Sequence, residues 1–136
     1  MASYLLDTNI CIYIHHKRPP QVIARFKQIK ANDTAISVVT YGELLYGASK
    51  SQKQAEALRI IEEFASIVQV QPLPVQAAQI YGDLRAMLEA QGKIIGGNDL
   101  WIASHAKAAG CTLVTNNERE FKRIPGLAIE NWAVES

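Results

Sequence analysis

Ser3-Tyr4-Leu5-Leu6-Asp7-Thr8-Asn9 is the stretch on which the reading of this chain turns. A short apolar run stops at an aspartate, and Thr8 to His16 then takes a helical pattern, so the segment reads as a buried strand feeding a helix. Cys111 to Val114 repeats the arrangement, with Thr115-Asn116-Asn117 after it and Glu118 and Glu120 just beyond. Between these two strands, Thr34 to Val39 is β-branched and strand-like, and Ile67 to Val70 is a further strand. Leu127 to Ile129 closes the series. Helical patterns fill the gaps. One opens at Pro19-Pro20 and runs to about Lys30, with a turn at Asn32-Asp33 after it. Another starts at Thr40 and covers Tyr41 to Ala48, and the next covers Gln52 to Ala65. Pro74 to Ala90 is long and amphipathic, and Asp99 to Ala109 is stopped by Gly110. Strands separated by helices predict an α/β fold, with a mainly parallel sheet covered by helices on both faces.

At 136 residues the chain has the size of one domain, expected to span residues 1–136. Hydrophobic residues make up 49% and charged residues 20%, a globular balance that excludes a disordered chain. No apolar run is long enough to cross a bilayer, so no membrane partner is expected. The first residues lack a basic region and meet a charge too early for a secretory signal. Cys11 and Cys111 form no metal or redox spacing and suit a reducing, cytoplasmic setting. His15, His16 and His105 make no zinc pattern.

In a parallel sheet, chemistry collects at the carboxyl ends of the strands. Asp7, Glu43, Asp99 and the Asn117/Glu120 region all read as strand-to-helix junctions, which share one edge. Carboxylates gathered in one place repel and raise one another's pKa unless a cation neutralises them. With no His/Cys cluster at hand, Mg²⁺ or Mn²⁺ is the expected ion, and hydrolysis of a phosphodiester the reaction it suits. Each acid also has a plain structural alternative. Asp7 could be only an N-cap. Thr40-Tyr41-Gly42-Glu43 has capping-box spacing, and Asn117 to Glu120 has similar spacing. Asp99 is harder to dismiss, because Ile102, Ala103 and Ala106 share its face and an acid facing inward needs a partner.

Four ordered motifs carry a resemblance over essentially the whole chain. They are Leu5-Leu6-Asp7-Thr8-Asn9, Thr40-Tyr41-Gly42-Glu43-Leu44, Gly96-Gly97-Asn98-Asp99-Leu100-Trp101-Ile102-Ala103, and Leu113-Val114-Thr115-Asn116-Asn117-Glu118-Arg119-Glu120-Phe121. Together they resemble the PIN-domain family and, within it, the VapC toxins of type II toxin–antitoxin modules. The resemblance implies a PIN-like three-layer α/β/α fold and an endoribonuclease dependent on Mg²⁺ or Mn²⁺. Asp7, Glu43 and Asp99 match the family's acidic positions. Many members carry an acid where this chain has Asn117, so Glu120 is taken as the fourth. Asp7 and Asp99 would bind the metal, and Glu43 and Glu120 would complete the negative pocket. Thr8, Asn9, Thr115 and Asn117 would support it.

An acidic pocket that receives RNA should be framed by cations. With the four acids set aside, fourteen Lys and Arg face nine remaining acids. Lys17-Arg18 and Arg119 with Lys122-Arg123 are the clusters expected to hold phosphates, while Lys50 and Lys53 read as solvated surface. Tyr13, Tyr46 and Trp101 are candidates for stacking on bases or for the core. The resemblance implies further partners. These are a tRNA, by analogy with enteric relatives the initiator tRNA cut in its anticodon loop, a homodimer mate, and a VapB-type antitoxin covering the groove. Ile10, Ile14, Leu44, Leu45 and Tyr46 are the apolar residues that could receive the antitoxin. Operator DNA would be bound only through it. Two other classes stay open. A haloacid-dehalogenase phosphatase also places Asp after its first strand, but needs a second Asp where this chain has Asn9. A PIN-like binding domain that has lost catalysis is the other.

Overall fold

The computed structural model describes residues 2–134, so Met1, Glu135 and Ser136, at the ends of the expected domain, lie outside the described residues. The elements run β1 (Tyr4–Leu6), α1 (Thr8–His16), α2 (Pro20–Gln28), a 3₁₀ turn (Ala31–Asp33), β2 (Thr34–Ser37), α3 (Val38–Lys50) and α4 (Gln54–Ile67). They continue as β3 (Gln69–Gln71), α5 (Gln76–Ala90), α6 (Gly97–Ala109), β4 (Thr112–Val114), α7 (Glu118–Phe121) and β5 (Ile129–Glu130). The strands form one sheet in the order β3-β2-β1-β4-β5, and every pairing is parallel. The register sets Tyr4 beside Thr34 and Thr112, and Leu6 beside Val114.

Two-residue alternation builds the layers. Leu5, Ala35 and Leu113 point into one core with Leu88 and Leu84 of α5, Leu100 and Ala103 of α6, and Phe121. Their neighbours Leu6, Ile36 and Val114 point into the other with Ile10, Val22, Leu44, Ile61 and Phe64. The inner strands β1, β2 and β4 are largely buried on both faces, which is why β1 and β4 read as short apolar runs, whereas the edge strands β3 and β5 are partly exposed and carry Gln69, Gln71 and Glu130. The result is the expected three-layer α/β/α arrangement, with β1 at its centre.

Boundaries differ from the sequence reading in two places that matter. β2 ends at Ser37, not Val39, because the Ser37 side chain accepts the Val39 N–H and starts α3 there. Val38 and Val39 are therefore helical despite their β-branching, since capping and tertiary packing outweigh a weak propensity. The second difference is at the end of α4, which continues to Ile67 and moves β3 to Gln69–Gln71.

Phe121 is fully buried and is the anchor of the four-residue α7, too short to be stable by itself. Phe121→Ala is expected to cost about 3–5 kcal/mol in urea denaturation, the range for truncating a buried Phe.

Candidate active site

β1 delivers Asp7 to the carboxyl edge of the sheet and α1 begins there. Asp7 is the N-cap of α1, its Oδ1 accepting the Ile10 N–H at 2.9 Å. Only 4% of its surface is exposed. Asp7 thus caps a helix and also stands beside Asp99 and Glu43. Burial pushes its carboxyl up to about 6, the Thr115 hydroxyl and the Ile10 N–H pull it back, and the charges of Asp99 and Glu43 push it up further. Thr115, fully buried at the end of β4, also accepts the Asn117 N–H at 2.9 Å.

Glu43 reaches the same place from α3. With Ser37 as the N-cap, Thr40 is not one, and the Thr40–Glu43 capping box does not form. Glu43 lies in the second turn of the helix, where the Thr8 hydroxyl donates to its Oε1 at 2.6 Å. Thr8 Oγ1 also stands 3.4 Å from Thr40 Oγ1. This contact ties α1 to α3, and it was hidden in the sequence because it joins residues 35 apart.

Asp99 arrives by a route the sequence reading had wrong. It follows no strand: α5 leads to α6 directly, and α6 leads into β4. A helix that feeds a parallel strand starts at that strand's carboxyl end, so the first turn of α6 lies at the shared edge. Gly96 is the N-cap, and neither Asn98 nor Asp99 caps the helix, which leaves Asp99 half-buried in the first turn. Burial, then the charges of Glu43 and Glu120, hold its carboxyl above the usual range. Glu120, on α7, accepts the Asn117 side-chain N–H at its Oε2 at 2.9 Å. The amide at position 117 thus supplies a donor to the neighbouring acid where another carboxylate would repel it.

Asp7, Glu43 and Asp99 are within electrostatic reach of one another and Glu120 is within reach of Asp99, but among the described residues no three His, Cys, Asp or Glu close around a point. Carboxylate oxygens are ligands for hard cations and not a zinc-type His/Cys set. Asn9 is exposed and makes no side-chain hydrogen bond among the described residues. Lys17 and Arg18 are exposed at the end of α1 and Arg119 is exposed on α7, and none of the three forms an ion pair among the described residues. Lys122 stands 4.0 Å from Glu118, and Arg123 donates to the Ile94 carbonyl at 3.1 Å. Beside Glu43 and Thr8, a groove of about 350 Å³ runs between α1, α3 and α4 over Ile12, Leu44, Ile60 and Ile61. Of the five apolar residues proposed for a partner, Leu44 lines this groove, Ile10 is fully buried, and Tyr46 is exposed under Lys50. Trp101 is stacked on Tyr81.

Residues 4–127 match the family model of the PIN domain. Ribonuclease VapC2 of Rickettsia felis is 46% identical over 130 residues, 95% of this chain and 97% of its own length. The tRNA(fMet)-specific endonuclease VapC of Shigella flexneri is 43% identical over 133 residues, 98% of this chain and 100% of its own length. Among solved structures, DNA-bound VapBC from Salmonella typhimurium superposes with a TM-score of 0.91 at 41% identity, covering 97% of this chain and 99% of that one.

A carboxyl whose folded pKa is raised from 3.8 to about 6 stabilises the fold only while protonated, and that contribution is lost as pH rises through about 6. Asp7→Asn keeps an N-capping side chain but removes the charge. Without divalent ions at pH 8, this variant should be more stable than the parent by up to roughly 3 kcal/mol. The gap should shrink as pH falls toward 4. Urea melts at the two pH values check both the sign and the trend.

Proposed function

The chain belongs to the PIN-domain family, and on that footing we propose that it is a metal-dependent endoribonuclease, the toxin of a type II toxin–antitoxin module. The observation that carries this reading is the gathering of acids at one edge: burial first, and then the charges of Glu43 and Asp99 on Asp7 and of Glu43 and Glu120 on Asp99, hold both carboxyls above their ordinary pKa. A fold that keeps these acids together, with none of them in an ion pair among the described residues, is arranged for a cation from solution.

Asp7 and Asp99 would hold Mg²⁺ or Mn²⁺, with Glu43 and Glu120 completing the negative pocket. The ion supplies charge that stabilises the phosphoryl oxygens and makes water a better nucleophile. The chain's own residues do the positioning. Ile10 N–H and Thr115 fix the Asp7 carboxylate. Thr8 fixes Glu43 and Asn117 fixes Glu120. Hydrolysis would leave a 5′-phosphate and a 3′-hydroxyl. Lys17, Arg18, Arg119, Lys122 and Arg123 frame the edge with positive charge for the RNA backbone, Arg123 with one nitrogen already on a carbonyl. The relative named as specific for tRNA(fMet) supports a tRNA substrate, and the initiator tRNA in particular.

The neighbouring VapBC structure supports an antitoxin partner of the VapB type. Its tail would lie in the apolar groove beside Glu43 and bring a basic side chain to the acids. Operator DNA would be held through the antitoxin, and two toxin chains would pair as a homodimer. Among the described residues no helix is long and apolar enough to cross a membrane. A tRNA substrate would put the protein's work in the cytoplasm. The PIN match decides for the nuclease over the haloacid-dehalogenase phosphatase, whose second Asp is Asn9 here.

RNA cleavage by the purified chain should vanish with EDTA, return with Mg²⁺ or Mn²⁺, and disappear in Asp7→Asn while the fold is kept. Cleavage by Asp7→Asn at the parental rate would remove the assignment. Thr8→Val, which loses the donor to Glu43 and the weaker contact with Thr40, should lower activity by roughly 10–100-fold at fixed Mg²⁺, the range for losing a side chain that orients a residue of a metal site. New 5′-phosphate ends mapped in cells expressing the chain identify the RNA.

A further inference from the structure

On the opposite flank of α1 from the apolar groove lies a cavity of about 700 Å³, walled by Tyr13, His16, Arg18, Pro20, Gln21 and Asn116. It lies in the size range of sites that enclose small organic groups. We propose that this cavity takes one unstacked nucleotide of the RNA, its base between the ring and proline faces and its phosphate on Arg18. The inference rests on the nuclease reading and goes beyond it, because it assigns a base-binding subsite outside the acids.

Three observations carry it. The first is continuity with the acidic edge. Asn116 is a wall of the cavity, while its neighbour Thr115 bonds Asp7 and its neighbour Asn117 bonds Glu120. A strand whose phosphate lies at the acids therefore passes this opening. The second is charge. Among the described residues no carboxylate lines the cavity, whereas Glu43 lines the groove across α1. Arg18 and Lys17 are exposed and enter no ion pair among the described residues, so both are available to a phosphate.

The third is the construction of the polar wall. The Asn116 side-chain N–H donates to the Tyr13 hydroxyl at 2.9 Å, and its Oδ1 accepts from Asn131 at 3.3 Å. Gln21 donates through Nε2 to the Ala133 carbonyl at 2.7 Å. Both amides are thus held in place, with one Asn116 N–H and the Gln21 Oε1 left over as donor and acceptor. A flat apolar slot with an amide edge and a nearby cation matches a nucleobase and its phosphate, the parts exposed in a single-stranded loop.

The test uses the Asp7→Asn chain, so that RNA is bound and not consumed. The probe is a fluorescein-labelled RNA hairpin with a seven-nucleotide loop, titrated at two salt concentrations. Arg18→Ala should weaken binding by about tenfold and flatten the salt dependence by about one charge. Ala133→Phe, which fills the cavity from a wall residue, should weaken binding comparably, and a fully paired RNA should compete poorly. On the unfilled chain, 5-iodouridine placed in the loop should cross-link to residues 13–21 or to Asn116. Unchanged affinity in both variants, or cross-links only elsewhere, overturns the subsite, as does loss of antitoxin binding with RNA affinity intact. Ion-dependent cleavage by the parent chain is measured in parallel. Its presence with those negative results removes the subsite and leaves the nuclease, and its absence removes the nuclease reading itself.

Discussion

The structure depends on holding like charges together at one edge of a parallel sheet. Burial alone makes an ionised Asp7 costly, and its acidic neighbours add to that cost. The fold offsets part of it with directed hydrogen bonds. Three of the acids have their own donor: the Ile10 N–H for Asp7, the Thr8 hydroxyl for Glu43, and the Asn117 amide for Glu120. These donors orient the carboxylates as well as stabilising them. The residual repulsion is the feature that a cation would relieve.

That edge is stiff because of what lies beneath it. β1 sits in the middle of the sheet between β2 and β4, and Leu5 and Leu6 are fully buried in opposite cores. Asp7 follows directly, so its backbone has little freedom. α3 and α6 bring Glu43 and Asp99 from opposite faces of the sheet, and each helix is pinned by its own buried stripe. Phe121 does the same for α7 and Glu120. The acids therefore meet because two separate cores are packed, and neither core contains a residue of the acid cluster.

α1 divides the surface around this edge. On one flank the groove is apolar and ends at Glu43 and Thr8. On the other the cavity is framed by amides and Arg18. Ile12 and His16 belong to both, so one helix separates an apolar surface that ends at an acid from an apolar one edged by amides and Arg18. The two flanks differ in the charge at their edges.

The alternation of apolar strands with helical patterns was enough to read an α/β fold with a parallel sheet, because burial on both faces leaves continuous apolar runs. The acids were legible too, since Asp7 ends a strand without interruption and four ordered motifs match one family. Tertiary structure decided the rest. Thr40 looked like a cap from its spacing, but Ser37 takes that role because packing ends the strand earlier. Asp99 looked like a residue after a strand, yet it comes from the start of a helix that leads into one. The bond from Thr8 to Glu43 joins distant parts of the chain. Sequence alone determined which residue types stand at each strand end. Only folding decided which of them touch, because contact across a sheet depends on strand order and helix direction, and local spacing encodes neither.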